Sequence, residues 1–352
     1  DYRPSLRLEY VGPPTIGLAV DRFGTRVGGG AALYFGDMLG NRVLGVALES
    51  GGTLKDVGGQ VVYRNRERRW NWLAGAARIP YVTGFATVEG TVFQGRPATR
   101  VSQFLDRVFY DQAMVTAQYP FSTTRRFEVS GGYAHIGFDR EIQRSVFVGS
   151  QLVFEDTEEL DAPPGLHFFQ AAAALVGDNS FFGYTSPVAG GRYRFEVAPR
   201  IGTLRYGTLL ADWRRYVFAR PVTFAMRGLH YGRYGPDGDS DRLQPLFLGE
   251  QTLVRGYSAE SFEPDECPRG GTGARACPAF DRLLGSRIAV ANVELRVPLT
   301  GGGLGLVRAP FLPVELAAFA DAGVAWTGAE GPTLGFARRT AERVPVVSTG
   351  VS

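Results

Sequence analysis

The sequence predicts an all-β fold, an antiparallel transmembrane β-barrel of about 16 strands. Three observations carry this: long runs that alternate apolar and polar residues, connections that are short on one side and long on the other, and 47 glycines in 352 residues. Glycine at that density is poorly tolerated in helices, whereas tight turns and strand bends accept it.

The alternating runs come first. In "RYRFEVAPRIGT" (192–203), Arg192, Arg194, Glu196, Ala198 and Arg200 share one face, and Tyr193, Phe195, Val197, Pro199 and Ile201 the other. "SRIAVANVELRVPL" (286–299) sets Asn292, Glu294 and Arg296 against Ala289, Ala291, Val293, Leu295 and Val297. "PVELAAFADAGVAW" (313–326) sets Glu315, Phe319, Asp321 and Gly323 against Leu316, Ala318, Ala320 and Ala322. Such runs are longer than the roughly 5–6 residues common in soluble sandwiches. Their polar faces hold Arg, Glu, Asp and Gly, as a barrel lumen does.

Strands are expected near 15–22, 26–36, 42–51, 57–66, 70–80, 106–119, 125–140, 166–179, 192–204, 207–219, 222–234, 286–299 and 312–326, with a fourteenth opening near 345. Short connections fall at 37–41, 66–69, 120–124 and 219–221, and long loops at 81–105, 141–165, 235–285 and 327–344. Strict alternation puts all the short ones on one side, the signature of an outer-membrane barrel. Residues 1–14, with Pro4, Pro13 and Pro14, are expected to be a periplasmic entry segment, and 15–352 a barrel incomplete at its C-terminus, with the closing strands missing from this chain. Trp70, Trp72 and Trp326 fall at strand ends, where either an aromatic girdle or core packing would place them.

No apolar stretch is long enough for a membrane-spanning helix, and mean hydropathy is −0.07. Net charge is +3, with one lysine, Lys55, and 37 arginines mixed among 35 acids. That dispersed pattern lacks the clustered basic patch of a nucleic-acid binder, so no nucleic-acid partner is expected. Cys267 and Cys277 lie in one Gly/Pro-rich loop without metal-ligand spacing. They form either a disulfide, which implies an oxidising compartment, or two free thiols. Asp237, Asp239 and Asp241 in "PDGDSD" imitate half a calcium loop but lack the Glu that would complete it; a solvated acidic loop is the preferred reading, and no cofactor is expected. His135, His167 and His230 are far apart in sequence and no G-x-S-x-G occurs, which argues against a hydrolase.

One loop element stands out. "FLGEQTLVRGY" (247–257) holds Arg255 between Val254 and Gly256, ahead of Tyr257. It is followed by "VANVELRVPL" (290–299) and "AAFADAGVAW" (317–326). In order and spacing these three resemble the bacterial surface antigen superfamily of outer-membrane protein assembly barrels, which takes in BamA-like and two-partner secretion transporter barrels. The variant resembled is the one fused to a periplasmic propeller domain. The resemblance implies that Arg255, Gly256 and Tyr257 fold back as a lumen latch, with Asp321 and Glu294 as partners of Arg255. Strand phase agrees independently, since both acids lie on polar faces. A guanidinium in a partly dewatered lumen needs a carboxylate, and its planar fork suits one; a solvated loop arginine is the alternative.

The function implied is non-catalytic insertion or translocation of proteins at the bacterial outer membrane. The implied partners are outer-membrane lipid and lipopolysaccharide, unfolded outer-membrane or secreted polypeptides, and a periplasmic N-terminal domain outside this chain. A structural barrel that anchors a periplasmic domain, or a passive pore, is the alternative, with an outer-membrane enzyme a distant third.

Overall fold

The computed structural model describes residues 4–21, 24–51, 54–258, 261–262, 277–300, 313–333, 335 and 342–352. The chain divides into two compact units. The first holds Asp1–Gln118, Ser130–Ala171 and Ile201–Leu204; the second holds Tyr119–Val129, Ala172–Arg200 and Arg205–Ser352.

The first unit opens with β1 (Arg7–Val11) and β2 (Thr15–Asp21), which pair with different stretches of β3 (Gly24–Gly36). Antiparallel ladders then run in chain order through β4 (Arg42–Ser50), β5 (Val57–Asn65), β6 (Asn71–Phe93) and β7 (Arg96–Ser122). β8 (Arg125–Val148) pairs with β9 (Gln151–Leu160). The entry segment expected at 1–14 therefore contains a strand, β1.

The long loops expected at 81–105 and 141–165 are corrected. β6 and β7 stay in register from Asn71↔Gln118 to Phe93↔Arg96, joined only by Gln94 (φ 50°) and Gly95 (φ 77°). Two consecutive positive φ values make the hairpin turn whose twist matches the flanking strands. β8 and β9 likewise turn at Gly149 (φ 62°). Both stretches fell between expected strands as their connections. Their alternation, as in "TVEGTVF", was the better guide, because ladder pairing needs backbone groups rather than apolar side chains.

The second unit carries β10 (Leu166–Asp178) from Ala172 onward, β11 (Phe181–Phe182), β12 (Pro187–Gly202), β13 (Tyr206–Ala219) and β14 (Val222–Tyr234). After the long loop come β17 (Arg287–Pro298), β18 (Glu315–Trp326) and β19 (Val346–Val351). Ladders join β12, β13, β14, β17, β18 and β19 in that order. The loop contains two short strands, β15 (Leu246–Phe247) and β16 (Leu284–Gly285), paired to each other, and one helical turn, α1 (Pro278–Asp281).

Burial in this unit is the inverse of a water-soluble sheet. On β17, Ala291, Val293 and Leu295 are exposed, whereas Asn292, Glu294 and Arg296 are half-buried. On β18, Leu316, Ala318 and Ala320 are exposed and Asp321 is buried. On β12, Phe195 and Val197 are exposed and Ala198 is buried. An apolar face turned outward and an ionic face turned inward suit lipid on one side and a polar interior on the other. Among the described residues no helix is long and apolar enough to cross a membrane.

Candidate functional site

In the loop between β14 and β17, the 248–257 stretch folds onto the polar face of β17 and β18. Leu248, Val254 and Leu283 are fully buried in one cluster with Ile288, Val290, Ala325 and Val346. Leu248 N donates to Leu283 O at 2.9 Å, and the amides of Leu253 and Val254 both donate to Glu250 O, at 2.8 and 3.1 Å. That tight turn carries Arg255 to the wall, and Gly256, at φ 84°, turns the chain away again. This left-handed conformation is one glycine adopts at no steric cost.

Arg255 meets Asp321 along its fork. Nε donates to Oδ2 and Nη2 to Oδ1, each at 2.7 Å, and the Arg255 backbone amide adds a 3.2 Å bond to Oδ2. Nη1 lies 2.8 Å from Glu294 Oε1, and the guanidinium stacks 3.6 Å over the Phe319 ring. The bidentate pair aims both donors at one carboxylate, and the ring face favours the cation. The Asp321 side chain is 0% exposed, so its charge rests on these contacts. Tyr257 donates from its hydroxyl to Val347 O at 2.9 Å. Arg255, Tyr257, Asp321 and Glu294 are thus brought together, with Gly256 as the bend between them.

Several members of the site escaped the sequence. Asn292 donates through Nδ2 to Leu253 O and to Asp321 Oδ1, both at 2.8 Å. The β17–β18 register sets Asn292 opposite Asp321 and Glu294 opposite Phe319. All four lay on polar faces by alternation, but only the register shows that they meet. Arg296 donates to Glu294 at 2.6 Å, and Arg227 reaches Thr252 O at 2.7 Å while sharing Asp212 with Arg214.

Gly323 provides the floor on which the loop sits. A Cβ there would lie 2.7 Å from Val254 Cγ2 and 2.9 Å from Leu248 Cδ1. Gly323→Ala is therefore expected to overpack the contact by about 1–3 kcal/mol and to loosen the loop in limited proteolysis. Adding Val254→Ala should restore part of the protection. If Gly323→Ala protects the loop as well as the parent chain does, this close approach is wrong.

Of the candidates Asp237, Asp239 and Asp241, the first two are engaged elsewhere. Asp237 accepts the Arg205 amide at 2.7 Å, and Asp239 accepts Ser286 Oγ and the Gly328 amide beside Arg287. Among the described residues no cluster could hold a metal ion. Burial acts to raise the Asp239 carboxyl, but the hydrogen bonds from Ser286 and Gly328, with Arg287 nearby, hold it below its ordinary value. A carboxyl depressed in this way contributes stability above its ordinary value, and the contribution is lost as pH falls through the lowered one. The Asp239 contact should therefore persist at neutral pH and open only in acid below the usual aspartate range. Loop exchange rates measured against pH in the parent chain and in Asp239→Asn check this.

Cys277 is disulfide-bonded; Cys267 lies outside the described residues. The proposed Cys267–Cys277 pairing predicts that neither thiol labels without reductant, and ready labelling of both would sink it. His135 and His167 stack with ring centroids 4.5 Å apart, with Tyr133 and Asp111 beside them, a cluster that sequence distance had hidden. Trp326 stacks on His230, whereas Trp70 and Trp72 are exposed near the start of β6.

A solved structure described as BamA from Haemophilus ducreyi lacking POTRA domains 1–3 is similar in fold. The TM-score is 0.53 at 12% identity, covering 92% of this chain and 63% of that one. No protein-family model and no curated protein matches the sequence. At that identity the likeness is one of fold: an all-β antiparallel transmembrane barrel of the BamA kind, as the alternation predicts.

Proposed function

We propose that the chain is an outer-membrane barrel that inserts or translocates polypeptide without covalent chemistry, its 235–286 loop held by the Arg255 latch. The observation that carries the reading is the bidentate Arg255–Asp321 pair, backed by Glu294, in a fold similar to BamA. The chain spans 63% of the length of that structure, so substrate and partners belong to the proposal. They are outer-membrane lipid and lipopolysaccharide, unfolded outer-membrane or secreted polypeptides, and a periplasmic domain joined ahead of residue 1. The outward apolar faces of β12, β17 and β18 support a lipid setting.

The test is depletion of the full-length protein in its own host, with mass spectrometry of the outer-membrane and secreted fractions. Loss of many barrels is expected of a general insertase, and loss of one or two exported proteins of a dedicated translocator. Disappearance of the protein alone would overturn the proposal in favour of an anchor or pore.

A further inference from the structure

On the inward face of the second unit, Arg126, Arg194 and Arg214 are matched by acids. Arg126 and Arg194 reach Glu128 at 2.6 and 2.8 Å, and Arg214 bonds Asp212 at 2.8 Å. Two arginines of the opposite phase are not matched. Arg125 shares the face of the exposed Val129 on β8, and Arg215 that of the exposed Trp213 and Val217 on β13. Both arginines are exposed, and among the described residues neither guanidinium has an ion pair or a hydrogen bond. A cation on a lipid-facing wall is costly unless it reaches the headgroups or an anion meets it.

The two arginines line one cavity of about 190 Å³. It lies at the short-turn end of the strands. The Asp178 amide at the end of β10 donates to Thr124 O in the β7–β8 turn at 2.9 Å, and the Asn179 amide donates to Gly191 O of β12 at 3.0 Å. Glycines make the floor. A Cβ on Gly177 would run into the Tyr193 ring, and one on Gly191 would lie 3.4 Å from Arg215 Cδ. Arg215 therefore lies across the bare backbone of the neighbouring strand. The register sets Gly191 opposite Arg215 and Tyr193 opposite Trp213, and both rings line the cavity. Such amphipathic rings settle at the level of lipid headgroups. Further along the same face come Phe195 opposite Ala211 and Val197 opposite Leu209, with Phe195, Val197 and Leu209 exposed. The order along the wall is thus cation, amphipathic ring, hydrocarbon. Two other charges line the cavity, Arg192 and Asp178. They act on each other, and Asp178 also accepts the Ser180 amide at 3.0 Å and its hydroxyl. That leaves Arg125 and Arg215 as the uncompensated charge.

We propose that this cavity binds the headgroup phosphate of an anionic glycerophospholipid from the leaflet on the short-turn side, with Arg125 and Arg215 as its clamp. The strand order β8, β10, β12, β13 sets the two arginines three strand spacings apart, about 14 Å. Long side chains from the outer two strands meet a phosphate held over the glycines between them, and the guanidinium fork suits that group. The acyl chains follow Phe195, Val197 and Leu209. An anionic headgroup is selected over a zwitterionic one, because the ammonium of the latter would be brought to the same two cations. The proposal needs only the membrane setting of the barrel, and holds whether the barrel transports, anchors or conducts.

The test titrates the full chain in micelles with phosphatidylglycerol or phosphatidylethanolamine and counts lipid adducts by native mass spectrometry. A single phosphatidylglycerol should stay bound to the parent chain at concentrations where phosphatidylethanolamine does not. Arg125→Gln and Arg215→Gln should each weaken that adduct about tenfold, the loss of one charge-assisted contact. Both variants should remain heat-modifiable on gels, since neither guanidinium holds another residue. Arg220→Gln, in the β13–β14 turn at the same end of the strands, should leave the adduct unchanged. An unchanged adduct in both cavity variants overturns the proposal, as does equal weakening in Arg220→Gln or equal retention of phosphatidylethanolamine. Displacement by inorganic phosphate alone would also overturn it, assigning the cavity to free phosphate, because a lipid held by its acyl chains resists that exchange.

Discussion

Arg255→Ala is expected to release the 248–257 turn from the wall while the strands stay assembled. The substitution strands Asp321, which is fully buried and, among the described residues, otherwise bonded by no side chain but Asn292. Leaving one member of such a pair without its partner costs about 3 kcal/mol or more. If that cost falls on loop docking, the open population rises roughly a hundredfold, at about 1.4 kcal/mol per factor of ten. Cleavage within the loop should rise in step where opening is fast relative to proteolysis. The strand ladders do not involve the Arg255 side chain, so heat-modifiability on gels should persist. Arg255→Lys should lie between, keeping the charge but losing the two-pronged contact. Equal protection of the loop in the alanine variant would reject the latch.

The second large effect is expected in the other unit. Arg107 on β7 is 1% exposed, with Asp56 at 2.8 Å, Glu141 at 2.9 Å and Asp139 at 3.5 Å. Lys55 joins the same group through Glu141 at 3.2 Å and Glu159 at 3.1 Å. Arg107→Ala removes the cation on which the buried carboxylates of Asp56 and Glu141 converge, at a cost of about 3–5 kcal/mol. The β6–β9 hairpins should then exchange amide hydrogen faster and the heat-modification midpoint should fall. Arg107→Ala with Glu141→Gln should recover part of the loss, since one stranded charge is gone. A midpoint matching that of the exposed control Arg100→Ala would show that the cluster contributes little.

Alternation made several strands of the second unit legible almost to the residue, though β12 begins at Pro187 rather than at 192 and β18 at Glu315 rather than at 312. Val222–Tyr234 was expected at 222–234, and Arg287–Pro298 at 286–299. The extended hairpins were missed because the ladders continue through charged residues: Glu89, Arg100 and Glu158 stand exposed on them, and Glu141 is buried against Arg107. Of the latch, Arg255, Asp321 and Glu294 were visible through motif and phase. Asn292, Phe319 and Gly323 were not, because their roles come from register and close approach, which one strand read alone does not contain. The Arg107 cluster was hidden for the same reason: Asp56, Arg107 and Glu141 lie on separate elements.

Asn292 gives the latch a bearing on strand register. Its amide joins the Leu253 carbonyl of the loop to the Asp321 carboxylate of the neighbouring strand. That bridge exists only when Asn292 stands directly opposite Asp321. A slip of one residue between β17 and β18 would turn every side chain on the slipped strand to the other face, leaving Arg255 to meet alanine or leucine. The loop can therefore seat only on a correctly zipped pair of strands, so a protected loop reports that β17 and β18 have paired in this register.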